Sequence, residues 1–150
     1  MVSPVIRDAE RADIPRIIEM GRKFLLEGPY KDIIEDHPEV PTALAYRLLE
    51  MPNAKVLVLV DTGRVEGFIG IVVLPHFYSG RTTAHEMIWY VTPEIRKTFG
   101  AICLLRAAQR SAKEMGAEYM QCTAPLPEIG RMYEMCGYSQ VEVAYQKRLI

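Results

Sequence analysis

The chain has 150 residues, 49% hydrophobic and 25% charged, with a formal net charge of −1. That length suits one self-sufficient domain, and the near-neutral balance argues against a protein whose main task is to coat nucleic acid or an anionic membrane. No apolar run approaches the roughly 20 residues that span a bilayer, and Met1 to Glu10 carries acids without the apolar segment of a secretion signal.

Taken in chain order, Val2 to Arg7 reads as a short strand. Asp13 can cap a helix that starts at Ile14, with Pro15 in the first turn where its missing N–H is harmless. Ile14, Ile17, Ile18, Gly21, Phe24 and Leu25 share one helical face, and Gly28–Pro29 stops the helix. Tyr30 to Pro41 reads as loop, and Thr42 to Met51 as a second helix. Lys55 to Val60 is a β-branched run typical of a buried strand, and Asp61 to Arg64 turns it into a partner at Val65 to Leu74. After a loop at Pro75 to Gly80, Thr82 to Val91 alternates at Ala84, Glu86, Ile88 and Tyr90. Ala101, Leu104, Leu105, Ala108, Ala112 and Met115 form the stripe of a long helix closed by Gly116. Glu118 to Thr123 is a strand, Pro127 to Cys136 a helix closed by Gly137, and Tyr138 to Leu149 one long strand or two short ones. The order βααβββαβαβ predicts an α/β fold with a mixed sheet in a single domain spanning 1–150.

Cys103, Cys122 and Cys136, odd in number and each in an apolar stretch, read as buried reduced thiols of a cytoplasmic protein. His37, His76 and His85 lie far from any paired cysteines, so no metal is expected.

One segment carries chemistry. Val91 to Ala101 joins a strand to the longest helix, where main-chain N–H groups are unpaired and the helix dipole adds positive potential. Arg96 and Lys97 add charge beside Thr98 and Phe99, while Gly100 and Ala101 leave room for a bulky anion to approach the backbone. Physically this is a phosphate cradle.

Here the chain resembles the GCN5-related N-acetyltransferase (GNAT) family, whose pattern is strand, Pro-x-x-Arg-x-x-Gly-x-Gly/Ala, helix. Pro93, Arg96 and Ala101 match; Phe99 stands where the first loop glycine is expected, and Gly100 is one position late. Arg131 to Tyr138 resembles the family's Leu-Tyr-Glu-Lys-Leu-Gly-Phe signature. Ile6 to Ala9 with Asp13-Ile14 is similar to its first strand and helix, and Gly67 to Gly70 to its hairpin. Among members it is most similar to small ones seen in tailed-phage and prophage genomes. The resemblance implies an N-acetyltransferase that moves an acetyl group from acetyl-CoA to a primary amine of a small molecule or protein, often as a homodimer.

It also implies roles. Tyr133 would protonate the departing thiolate. The backbone of Tyr90 and Val91 would pair with the pantetheine arm, and Arg96 to Ala101 would hold the diphosphate. Transfer to an ammonium of pKa ~10.4 needs a base. Glu86 is the candidate, with an arginine-paired carboxylate as its alternative reading; His85 points to the opposite face. Trp89 reads as core or cleft wall. Tyr30, His76, Phe77 and Tyr78 lie in loops that could contact the acceptor. A degenerate coenzyme A-binding or interaction domain with the same fold stays open, because Phe99 departs from the pattern.

Overall fold

Continuous apolar character marks the two central strands, and both of their faces are covered. The computed structural model describes residues 3–150. Strands β1 (Val5–Asp8), β2 (Ala54–Asp61), β3 (Arg64–Pro75), β4 (Thr82–Val91) and β5 (Tyr119–Gln121) form one sheet in sequence order. The first four are antiparallel, and β5 joins β4 in parallel, so the sheet is mixed as expected. The expected start of β1 at Val2 lies outside the described residues.

On one face, Leu57, Leu59, Ile69, Ile71 and Val91 pack against Leu104, Leu105, Ala108 and Ala112 of helix α4 (Gly100–Glu114) and against Tyr133 of α5 (Pro127–Met135). On the other, Val56, Val58, Phe68 and Tyr90 pack against Ile14, Ile17 and Met20 of α1 (Ile14–Glu27) and Ala45 and Leu48 of α2 (Glu39–Glu50). Truncating a fully buried side chain here, Leu59 or Ile69, would remove about 2–5 kcal/mol. A one-turn helix α3 (Pro93–Arg96) links β4 to α4.

The chain differs from the sequence expectation at several places; α2, for one, starts at Glu39, inside the stretch expected as loop. Asp13 does not cap α1 forward. Its carboxylate accepts from Glu10 N–H at 2.7 Å and from Arg7 at 2.7 and 3.0 Å, closing a 3-10 turn over Arg11–Asp13 behind it.

Another difference is a bulge in β4. Gly70 faces Ile88 while Ile71 faces Glu86, so Met87 is the extra residue. Glu86 is therefore not in phase with Tyr90. It shares a face with Trp89 and Val91, toward α4 and α5, whereas Ile88 and Tyr90 turn to α1.

Further, residues 138–150 form no strand, so the observed order ends on α5. Val141, Val143, Tyr145 and Leu149 are β-branched, aromatic or aliphatic, yet all four are exposed. A strand needs ladder hydrogen bonds to a neighbour, and these residues make none, although β5 is the last strand of the sheet. Finally, Cys103 is exposed rather than buried.

Candidate active site

The parallel pairing of β4 with β5 covers only Thr83 to His85. From Glu86 onward β4 keeps β3 on one side and has no strand on the other. Thr92 N–H donates to Glu66 O at 2.9 Å. That sets the antiparallel alternation: residues 88, 90 and 92 direct their main-chain groups to β3, and Trp89 and Val91 direct theirs to the open edge. Tyr90, expected to offer its backbone there, is thus committed to β3. Val91 keeps an outward N–H, but its carbonyl accepts from Arg96 Nε at 2.9 Å.

At the point where the strands part, the Glu86 carboxylate crosses the gap and accepts the N–H of Thr123 at 3.1 Å. It has no ion pair among the described residues. Burial pushes its pKa up to about 7, against the single opposing hydrogen bond from Thr123. The arginine-paired alternative for Glu86 does not match this geometry.

Tyr133 reaches the same residue. Its hydroxyl donates to the Thr123 carbonyl at 3.4 Å, a long contact that leaves the proton easily redirected. The ring is buried and stacks at 5.8 Å from Trp89 and 5.3 Å from Tyr138. Burial and the nearby Glu86 charge raise the phenol well above its ordinary range. Cys122, half-buried beside them, is pushed up to about 12 by burial and then by Glu86. A thiol so held is neutral and unreactive. One residue, Thr123, therefore fastens a carboxylate by its N–H and a phenol by its C=O, at the mouth of an open strand edge.

The loop from β4 to α4 forms the second part. Thr98 Oγ1 accepts the Gly100 N–H at 3.0 Å and donates to Ile95 O at 2.8 Å. The N–H groups of Phe99, Ala101 and Ile102 have no partner among the described residues. Phe99 adopts φ −77°, which any residue can take, and its ring is 81% exposed, so it does not fill the hollow.

Gly100 serves a different purpose from the one expected. It is buried, and a Cβ there would meet Ile95 Cγ2 at 2.8 Å, Thr98 Oγ1 at 3.1 Å and Leu59 Cδ1 at 3.2 Å. Its smallness lets the helix start sit on the sheet rather than opening space for an anion. Lys97 is exposed beside the free amides.

Arg96 is mostly engaged elsewhere. Nη2 contacts Glu27 Oε2 at 2.6 Å, Nε holds Val91 O, and the guanidinium lies 4.9 Å from the Tyr90 ring centre. Tyr90 in turn donates to Glu27 Oε1 at 2.8 Å. Nothing in the sequence pattern singled out Glu27; its only signal is its place before the Gly28 stop.

The acceptor-side residues are not brought to Glu86. Tyr30 stacks on Phe24 at 5.4 Å in the α1–α2 loop. His76 Nδ1 accepts the N–H groups of Tyr78 and Ser79, which makes it a turn-former, while Phe77 and Tyr78 stand in solvent. That turn precedes β4 at the end where β5 is still paired, and the four steps from Thr82 to Glu86 span about 13 Å. A surface groove of about 410 Å³ lies between α1 and the loop that follows it, with Leu25, Ile33, Ile34 and Arg148 in its walls. It includes neither Glu86 nor Tyr133.

Comparison with known proteins bears on this arrangement. Residues 23–138 match the family described as acetyltransferase (GNAT) family. Among solved structures, glucosamine-6-phosphate N-acetyltransferase from Arabidopsis thaliana aligns with a TM-score of 0.79 at 15% identity, covering 99% of this chain and 100% of that one. Ribosomal-protein-alanine N-acetyltransferase from Brucella melitensis biovar Abortus 2308 aligns at 0.75 and 20% identity, covering 99% and 100%. Aminoglycoside 6'-N-acetyltransferase from Acinetobacter haemolyticus aligns at 0.76 and 19%, covering 97% and 99%. No curated protein sequence matches the chain.

Proposed function

The chain belongs to the GNAT acetyltransferase family and is an acetyl-CoA-dependent N-acetyltransferase, and from that premise we propose that its reaction centre is the split between β4 and β5, with Glu86 as base and Tyr133 as acid. The observation that carries this reading is the shared attachment of both groups to Thr123. The diphosphate of the donor would lie on the free amides of Phe99, Ala101 and Ile102, with Lys97 and the remaining Nη1 of Arg96 at its edge. The pantetheine arm would run along the open edge of β4, pairing with Trp89 and with the Val91 N–H.

The chemistry then follows from position. A primary ammonium gives a proton to the Glu86 carboxylate, whose raised pKa suits it to that task near neutral pH. The free amine attacks the thioester carbonyl, and an outward N–H of the open edge stabilises the oxyanion. As the C–S bond breaks, its electron pair leaves on sulfur and the Tyr133 proton moves there, giving free coenzyme A. The acylated nitrogen then gives its remaining extra proton to the Tyr133 phenolate, through water, and Glu86 releases its proton to solvent, which resets both groups. The aligned enzymes suggest three acceptors for a first panel: glucosamine 6-phosphate, an aminoglycoside and a peptide with N-terminal alanine.

Thiol release from acetyl-CoA is measured with each amine, and acetyl-CoA affinity by calorimetry. Tyr133→Phe should lower kcat about 100-fold or more while leaving the donor Kd within about twofold. Equal losses in turnover and donor affinity, or unchanged turnover, would remove Tyr133 from the acid role.

A further inference from the structure

The most exposed large apolar side chains of the described residues lie in two places. Phe77 and Tyr78 stand on the β3–β4 turn, and Tyr145, Leu149 and Ile150 in the tail that follows Tyr138. The turn borders β5: Arg81 Nη1 meets Glu118 Oε1 at 3.2 Å, and Glu118 N–H donates to Thr82 O at 2.8 Å. Tyr119, the first residue of β5, is exposed as well.

Strand β5 is the last of the sheet, so its outer side carries no strand among the described residues. Beside it runs a groove of about 350 Å³ between the end of α4 and β5, with Gln109, Lys113, Ala117, Tyr119 and Met120 in its walls. An open edge above such a groove is a template for another strand. The tail has the residues for one. Val141, Val143 and Tyr145 fall on one face of an extended chain, and all are of strand-favouring type.

Within its own copy the tail does not reach that edge. It leaves from Tyr138, held by its N–H to Tyr133 O at 3.0 Å and by Gln109 Nε2 to its hydroxyl at 2.8 Å. It passes to Arg148, beside α1 on the opposite face of the sheet, and joins no ladder on the way. The cost appears as surface. The chain exposes 10,215 Å². A compact chain of 150 residues exposes roughly 7,700 Å², about 2,500 Å² less. A stable interface covers about 800 Å² on each partner, so the excess is ample for one.

We propose that two copies of this chain exchange their tails, residues 139–150 of one adding as a strand to the outer edge of β5 in the other. Val141, Val143 and Tyr145 enter the groove beside α4, and the β3–β4 turn with Phe77 and Tyr78 borders the contact. A twofold axis makes the exchange reciprocal, each copy giving one tail and receiving one. The inference stands apart from the roles of Glu86 and Tyr133.

Sedimentation of the full chain should show a dimer. Val143→Pro removes a ladder N–H at a residue exposed in the single copy, so it should raise the dimer dissociation constant about 100-fold or more with the circular dichroism of the domain retained. A chain ending at Tyr138 should be a monomer. Chains of two isotopic labels, refolded together and treated with an amine cross-linker, should join Lys147 to Lys113, with about half of the joined pairs carrying both labels, as random pairing between copies requires. A full chain that sediments as a monomer at high concentration overturns the inference. So does a dimer that survives both variants, or a Lys147–Lys113 link found only within one label, which would place the tail on its own β5.

Discussion

Two glutamates flank β4, one on each face of the sheet, and they are held in opposite ways. Glu27 ends α1 and meets Tyr90 and Arg96; burial alone would raise its pKa, but the hydrogen bonds from Arg96 and Tyr90 outweigh it and hold the carboxyl below its ordinary value. Glu86, on the other face, meets only the Thr123 N–H and is pushed up to about 7. The pair teaches that the partner, more than depth, decides what a carboxylate does. A cation and a phenol turn Glu27 into a clamp between α1 and the loop before α4. With no cation paired to it among the described residues, Glu86 is able to take and release a proton near neutrality.

The largest effect expected on this contrast comes from Glu86→Gln. Turnover should fall about 100-fold, as for a lost general base. In the parent, kcat/KM should rise with pH through about 7 as the carboxylate ionises, and the variant should lack that limb. Stability carries the same signature with a definite sign. A folded pKa above the unfolded one favours the protonated fold, so this contribution is complete below the ordinary carboxylate range and is lost as pH rises through about 7. Melting at pH 8 relative to pH 5 should therefore improve in Glu86→Gln, by at most about 3 kcal/mol. A retained limb would move the proton acceptor elsewhere.

Next comes the helix start that both glutamates border. Gly100→Ala should destabilise by about 1–3 kcal/mol, because its Cβ has Ile95, Thr98 and Leu59 within 3.2 Å. Chemical denaturation measures this, and an unaltered midpoint would mean that the loop opens freely. Smallest is Glu27→Gln. Both partners of its ion pair are 40% or more exposed, so solvent screens the pair and about 1 kcal/mol is expected. Its linkage runs opposite to that of Glu86: the lowered pKa makes the contribution present above the ordinary carboxylate range and lost as pH falls through the folded value. The pH limb near 7 should be untouched, and a displaced limb would show that the two faces are coupled.

The same contrast explains what the sequence could reveal. Helices α1 and α4 were legible because each repeats its apolar residues at the helical period, and β2 and β3 because each is a continuous apolar run bounded by turn residues. Tyr133 drew attention through its neighbours in the α5 segment, and its role stays a proposal. Glu86 drew attention by its position on β4, but its face was misassigned, since a single-residue bulge at Met87 leaves no mark on an alternating string. Gly100 looked like space for a ligand, and only the packing of Ile95 and Leu59 against it shows otherwise. Thr123, Glu27 and Gln109 act through contacts 10 to 69 residues away along the chain, which no local pattern encodes. The strand expected over Tyr138 to Leu149 does not form: its β-branched and aromatic residues stay exposed and join no ladder.

A crystal structure with coenzyme A bound tests the assignment of chemistry to the Glu86 face most directly. The sulfur should lie at the split between β4 and β5, within about 4 Å of the Tyr133 hydroxyl, a reach consistent with proton transfer after slight closure. A sulfur on the opposite face, beside Glu27 and Tyr90, would contradict the account.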